Sequence, residues 1–345
     1  MRVRIKDIAE KTGLSVSTVS LVLSKKEHRI PDETCKRVID IAKELHYRPN
    51  QMAASLVTQR TKTIGLIIPD ITNMFFAEIA KSAENECQKA GYSIILCNTN
   101  DNPQSDIDYV NMLVGRGVDG ILFAMAVNAT VNKAEECFAI SHQFEKPIIL
   151  VDRVVPGLNT VCVLSDNEMG GYIATRHLLE LGHKKIGCIT GPMGAQSSKQ
   201  RLFGYIRALQ EYGVAFDTSY IKEGNYHTPS GFALSKELFE LDVTAIFACN
   251  DMMAYGVYKQ AASNGKKIPE DLSIVGFDDL QFSELMEVPL TSVSQPAIEM
   301  GQSAVEMMIE WIDHPDQQPE NITFKSELVI RKSTAMPSGK VKKAN

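Results

Sequence analysis

The sequence predicts an all-α helix-turn-helix head joined to a two-lobed α/β body, on three observations. The stretch IKDIAEKTGLSVSTVSLVLS, residues 5–24, reads helix, glycine, helix, and the second helix starts three residues after Gly13. From residue 63, short β-rich runs alternate with amphipathic helical stretches, and the series starts afresh at residue 184, which indicates two parallel sheets covered on both faces. Charge divides along the same line: residues 1–60 hold 12 Lys and Arg against 7 Asp and Glu, a net +5, and the remainder holds 24 against 35, a net −11. A basic head on an acidic body suits a chain with one polyanion-binding end, although a solvated basic face gives the same balance.

Each element of the head has a local cause. Ile5, Ile8 and Ala9 give the first helix its apolar stripe and Gly13 ends it. Ser15 can N-cap the second helix, whose Val19 and Val22 face inward. Pro31 opens the third at its favoured first position, after which Val38, Ile41, Ala42 and Leu45 recur at helical spacing. Residues 48–62 have a helix-capable centre, Met52 to Val57, with too few apolar positions to bury itself. This linker is expected to order only against something else.

In the body, TIGLIIPDI, YSIILCNT, VDGILFAM and PIILVDR read as strands of one series; after VCVLSDN the pattern restarts, with KKIGCITGP, YIKEGNY, AIFACND and SIVGFDD as strands of the next. LTSVSQP and the tail strand ITFKSELVIRKS then carry the chain between lobes again. The expected organisation is a head at 1–47, a linker at 48–62, a body at 63–335 and a polar tail at 336–345. Within the body, one lobe takes about 63–161 plus 294–322 and the other about 162–293 plus 323–335.

Several function classes fit poorly. The seven cysteines are odd in number, widely spaced and set in apolar runs, which reads as buried thiols in a reducing, cytoplasmic setting. No CxxC pair occurs, and His177 and His183 are six apart, off the i, i+4 face of a helical metal site, so no metal and no cofactor are expected. The N-terminus carries charge within its first ten residues and no apolar h-region, and no run approaches the length of a membrane span, which predicts neither export nor a membrane partner. GPMGAQSSKQR lacks the GxxxxGK[ST] phosphate loop and no GxSxG elbow occurs, so the chain is not expected to be an enzyme.

Two sets of residues could carry binding. On a helix entering the major groove, Val16 and Ser17 would face base edges, Ser15, Thr18 and Ser20 would reach phosphate oxygens, and Lys6 would add charge. The same serines could simply cap and solvate a packed helix. In the body, ligands belong at the carboxyl ends of parallel strands. There the sequence places Asn73, Phe75 and Phe76, then Asp152 and Arg153, Tyr226, Asn250, Asp278 with Asp279, and Gln295, while Arg201 begins a helix. Planar donors and acceptors with aromatic faces are the equipment for a small polyhydroxylated ring. Each also has an ordinary reading: Asn73 and Asn250 as helix caps, Phe75 and Phe76 as core, Asp152 with Arg153 as a solvated pair.

KDIAEKTGLSVSTVSLVLS and IPDETCKRVIDIAKELHYRPNQMAASL resemble the head of the lactose-repressor (LacI/GalR) family, and TIGLIIPDITNMFFAEI, RGVDGIL, LGHKKIGCITGP, FACNDMMAYG, SIVGFDD and LTSVSQP extend the resemblance over the whole chain. It implies a DNA-binding transcriptional regulator, most simply a repressor, acting on double-stranded operator DNA. The linker then folds as a hinge helix on DNA, with Asn50, Ala53 and Leu56 at the DNA and Leu56 as the wedge in the minor groove. Leu21 stands where many members place an arginine or histidine, so apolar contacts are expected there. The body resembles a type I periplasmic sugar-binding protein, nearest its ribose-binding branch. That branch's contacts are matched by Asn73, Phe75, Phe76, Asp152, Arg153, Arg201, Asn250, Asp278 and Gln295; Tyr226 replaces a phenylalanine and Ala124 an asparagine.

The resemblance therefore implies a small sugar effector, a pentose such as D-ribose acting as inducer. A purine, hexose or phosphoprotein corepressor is the alternative. Two heads on one operator predict a homodimer. The tail STAMPSGKVKKAN lacks leucine heptads, so the dimer is the expected end state.

Overall fold

The computed structural model describes residues 3–23, 30–47, 60–155, 157–158 and 160–338. The chain divides into two units, Met1–Thr61 and Lys62–Asn345.

In the first unit, α1 (Ile5–Thr12), α2 (Val16–Leu23) and α3 (Asp32–Glu44) enclose a small core of Ile8, Ala9, Val19, Val22, Val38 and Ala42. Ile41 and Leu45 pack against it, half-buried. Gly13 caps α1 in the left-handed conformation at φ 68°, where a Cβ would be strained. The Ser15 hydroxyl accepts from the Thr18 backbone N–H at 3.1 Å and so opens α2. Pro31 differs from expectation: α3 begins at Asp32, and Pro31, extended at ψ 139°, is its N-cap, its carbonyl accepting from the Cys35 N–H at 3.0 Å. The hinge residues Asn50, Ala53 and Leu56 lie outside the described residues.

In the second unit, one sheet contains β1 (Thr63–Ile68), β2 (Ser93–Asn98), β3 (Gly120–Phe123), β4 (Ile148–Val151), β5 (Cys162–Ser165) and β11 (Ile322–Phe324). Their order is β11-β5-β4-β3-β1-β2, all parallel. Both faces are covered: α4 (Met74–Lys89) and α12 (Ala297–Asp313) supply Ile79, Ala304 and Met308 on one side, and α5 (Pro103–Gly115) and α6 (Val131–Gln143) supply Val110, Leu113 and Ala134 on the other. That is why β1, β3 and β4 are almost wholly apolar rather than alternating.

The second sheet contains β6 (Ile186–Thr190), β7 (Ile221–Glu223), β8 (Ala245–Ala248), β9 (Ser273–Asp278), β10 (Thr291–Ser294) and β12 (Glu327–Val329), ordered β12-β10-β9-β8-β6-β7 and parallel except for β12 against β10. Its helices are α7 (Asn167–Glu180), α8 (Gln196–Glu211), α9 (Thr228–Glu240), α10 (Asp251–Ser263) and the short α11 (Gln281–Leu285).

The chain changes lobe three times. The first change follows β5, at Asp166, not at 161 as expected from the sequence, because Cys162–Ser165 still pairs with β4 and β11. The second lies between β10 and α12. The third divides the expected single tail strand: Ile322–Phe324 joins the first sheet and Glu327–Val329 the second. The first and third changes are bonded together, the Asp166 N–H donating to the Phe324 carbonyl at 2.8 Å and the Ser165 and Ser326 hydroxyls lying 3.0 Å apart.

All seven cysteines are free thiols, six buried and Cys35 half-buried. Among the described residues no helix is long and apolar enough to cross a membrane, and no cluster of His, Cys, Asp or Glu could hold a metal ion. His177 and His183 instead hold the segment that follows β12, bonding Thr334 and the Ala335 carbonyl, each at 2.9 Å.

Candidate functional site

The strand order in each sheet reverses once, between β1 and β3 and between β6 and β8, and ligands of such sheets bind where the carboxyl ends meet that reversal. A small cavity lies there between the lobes, lined by Asn73, Phe75, Phe76, Asp152, Arg153, Ser197, Arg201, Tyr226 and Asp278. The first lobe supplies Asn73 and the two phenylalanines from the start of α4, with Asp152 and Arg153 after β4. The second supplies Ser197 and Arg201 from α8, Tyr226 after β7 and Asp278 at the end of β9.

Several of these side chains serve packing and cavity at once. Asn73 caps α4, accepting from the Phe75 N–H at 3.1 Å. Phe75 and Phe76 are buried and meet edge to face, their centroids 5.3 Å apart. Tyr226 lies over Gly191, where a Cβ would come within 2.1 Å of its ring, and its hydroxyl is 2.6 Å from that of Ser198. The backbone is left-handed at Asp152 (φ 64°), Tyr226 (φ 67°) and Asp278 (φ 101°); such conformations in residues other than glycine concentrate at ligand sites.

Arg201 is the buried cation of the second lobe. Its guanidinium donates to Asn167 Oδ1 at 2.7 Å and to the Cys249 carbonyl, and lies 3.8 Å from Asp278. The crossing of α7 and α8 puts it there: a Cβ on Gly171 would meet the Arg201 carbonyl oxygen at 2.1 Å. In the first lobe, Arg153 donates to Asp101 and faces the Phe76 ring at 5.1 Å and the Tyr226 ring at 6.0 Å.

The carboxylates are strongly perturbed. Burial pushes Asp278 up to about 8 against the pull of Arg201, and the Asp251 charge raises it further. Asp152 is also raised by burial, opposed by Arg201 and Arg153. Its Oδ1 is buried and has no hydrogen-bond partner in the protein, so it retains its capacity to accept from a hydroxyl.

Asn250 and Gln295 stand behind the lining rather than on it. The Asn250 amide donates to the Tyr226 carbonyl at 2.9 Å while its oxygen caps α10, and the Gln295 amide donates to Asp278 Oδ1 at 2.7 Å, its own Oε1 lacking a partner. Sequence reasoning missed Ser197, Asn167 and Asp101. The first two follow strand ends that were legible, and Asp101 sits in the polar turn after β2.

In the head, Val19 and Val22 are buried while Lys6, Ser15, Val16, Ser17, Ser20 and Leu21 are exposed and Thr18 is half-buried. The face expected to meet DNA is therefore turned away from the head's own core, although Ser15 also serves as the cap.

Residues 61–332 match the family described as periplasmic binding proteins and sugar binding domain of the LacI family, and residues 4–50 match the bacterial regulatory proteins of the lacI family. The chain belongs to the LacI family. Like its relatives, this LacI-family member is a non-enzymatic DNA-binding transcriptional regulator with a sugar-binding type of effector domain. It is 35% identical to the HTH-type transcriptional repressor PurR of Mannheimia succiniciproducens over 95% of this chain and 98% of that one. A LacI-family transcriptional regulator from Enterococcus faecium, solved with bound ribose, is 31% identical with TM-score 0.72, covering 79% of this chain and 99% of that chain. The Lac repressor dimer bound to operator and the anti-inducer ONPF shares the fold at TM-score 0.88 and 24% identity, over 97% of this chain and all of that one.

Proposed function

We propose that this LacI-family regulator is a homodimeric repressor whose operator affinity is lowered by a small polyol, a pentose such as D-ribose. One observation carries the reading: a polar and aromatic cavity between the lobes in which Asp152 presents a buried, unpartnered carboxylate oxygen. Asp152 and Asp278 would accept from sugar hydroxyls, Asn73, Arg153 and Arg201 would donate to them, and Phe75, Phe76 and Tyr226 would cover the C–H faces. The similarity to a family member that binds ribose supports the pentose.

Lys6, Ser15, Val16, Ser17, Thr18, Ser20 and Leu21 are proposed to meet the operator, together with Asn50, Ala53 and Leu56 of the linker. Exposed Leu96 on the edge strand β2 and exposed Phe282 and Leu285 on α11 are apolar surface available to a second copy. Sugar and operator then bind different states, and each weakens the other by the same factor, typically about 5–150-fold.

A purine corepressor is the second reading, favoured by the identity to repressors named PurR. Thermal-shift titration with D-ribose, other sugars and nucleobases, repeated on Asp278→Ala, separates the two. Ribose is expected to stabilise the wild type and not the variant, and to reduce operator binding. Stabilisation by a nucleobase alone, with tighter operator binding, would overturn the pentose reading. Sedimentation of the free protein as a monomer would overturn the dimer.

A further inference from the structure

Arg153 is almost wholly buried, and a desolvated guanidinium must be held by an opposite charge and hydrogen bonds. The ligand-facing carboxylate Asp152 is its chain neighbour, yet the group that bonds it is elsewhere. Arg153 Nη1 donates to Asp101 Oδ1, and to the Met125 carbonyl at 3.4 Å. The same Asp101 oxygen accepts the Val127 N–H at 3.1 Å. One carboxylate thus ties together the turn after β2, the loop after β3 and the arginine after β4.

The turn is built to present it. Asn100 and Asp101 are both left-handed, at φ 53° and 56°, and the Asp101 N–H donates to the Pro69 carbonyl at 3.1 Å. Asp106, another acidic side chain nearby, accepts the Ala126 N–H at 3.0 Å on Oδ2, its Oδ1 lacking a hydrogen-bond partner, and lies within the electrostatic reach of Arg153.

We propose that Asp101 is a positioning residue for the ligand cavity: it fixes the Arg153 guanidinium at the lip of the first lobe, against Phe76 and facing Tyr226 of the second, and so sets ligand affinity. This inference rests on the reading of the cavity given above. Without Asp101 the cation is left with Asp106 and Asp152, both within its electrostatic reach and each with a buried, unpartnered oxygen; turning to Asp106 would carry it away from the cavity position, and turning to Asp152 would consume the carboxylate that a ligand hydroxyl needs.

Asp101→Asn is the appropriate variant, because asparagine tolerates the left-handed backbone and retains an acceptor while losing the charge. Calorimetric titration of the full chain with D-ribose is expected to show roughly tenfold weaker binding for Asp101→Asn and recovery toward wild type for Asp101→Glu. In an Arg153→Met background, Asp101→Asn should then change affinity by less than about twofold, since its effect acts through that arginine. Wild-type affinity in Asp101→Asn, or losses that multiply in the double variant, would overturn the proposal. Should the wild type bind no ribose, the cavity reading fails, and the positioning claim is decided by a crystal structure of free Asp101→Asn. A guanidinium still against the Phe76 ring overturns it, and one turned away from that ring, to Asp152 or to Asp106, supports it.

Discussion

The Arg201 guanidinium lies over an aromatic partner in the core: its central carbon is 3.7 Å from the centroid of the Phe277 ring. Phe277 immediately precedes Asp278 on β9, so one strand end supplies both the aromatic face and the carboxylate that the arginine needs. A planar, delocalised cation satisfies this arrangement, stacking with one face while its edge donates to Asn167 and Cys249.

Arg201→Lys should therefore behave as a disruptive change. An ammonium can neither stack in that manner nor reach both acceptors, so Asn167 Oδ1 or the Cys249 carbonyl loses its donor. Urea denaturation of the ligand-free protein is expected to show a loss of about 2 kcal/mol from the acceptor left unsatisfied, and polyol binding should disappear. Unchanged stability would mean that those hydrogen bonds contribute little.

The free protein should lose stability as pH rises. Asp278 is pushed to about 8, Asp251 to about 7 and Asp106 to about 6, all by burial, against an ordinary 3.8. Between about pH 4 and pH 8 the folded chain retains protons that the unfolded chain has released, so the stabilisation is complete below the unfolded value and is lost as pH rises through the folded ones. The melting temperature should fall from about pH 5 to about pH 8.5, and Asp278→Asn should raise it at the upper end by at least ~2 °C, the shift that roughly 1 kcal/mol gives in a domain of this size. A melting temperature that rises over that interval would contradict this account.

In the head, burial separates two kinds of substitution. Val19→Ala removes fully buried methyl groups from a small core and should cost the head about 2 kcal/mol. Ser15→Ala should cost about 1 kcal/mol through the lost cap. Ser17→Ala and Leu21→Ala, both at exposed positions, should leave the head's melting unchanged while operator binding, read by fluorescence anisotropy, weakens. A stability loss at Ser17 equal to that at Val19 would move it from the surface role to the core.

The head and the two sheets were legible because their causes are local: glycine and serine at helix ends, and unbroken apolar runs where both faces of a strand are covered. The cavity lining was legible from the strand-end rule, which placed Asn73, Asp152, Arg153, Tyr226 and Asp278 at it. Asn250 and Gln295 also follow strand ends but spend their amides on Tyr226 and Asp278, a choice that only the packed backbone makes. Sheet membership was less legible. VCVLS reads as a strand without saying which sheet it joins, and ITFKSELVI reads as one strand until Lys325 and Ser326 are seen to lie between two. Asp101 escaped notice because its partner is 52 residues away along the chain.

Three strands of backbone fasten the lobes, and two of them are bonded to each other between Asp166 and Phe324 and between Ser165 and Ser326. A single tether would let one plate tumble about the other. A triple one removes twist and slide, leaving a soft bend about one line. Work done at the cavity mouth is thereby delivered as one repeatable rotation, which is the mechanical condition for a small molecule to be felt at a distance.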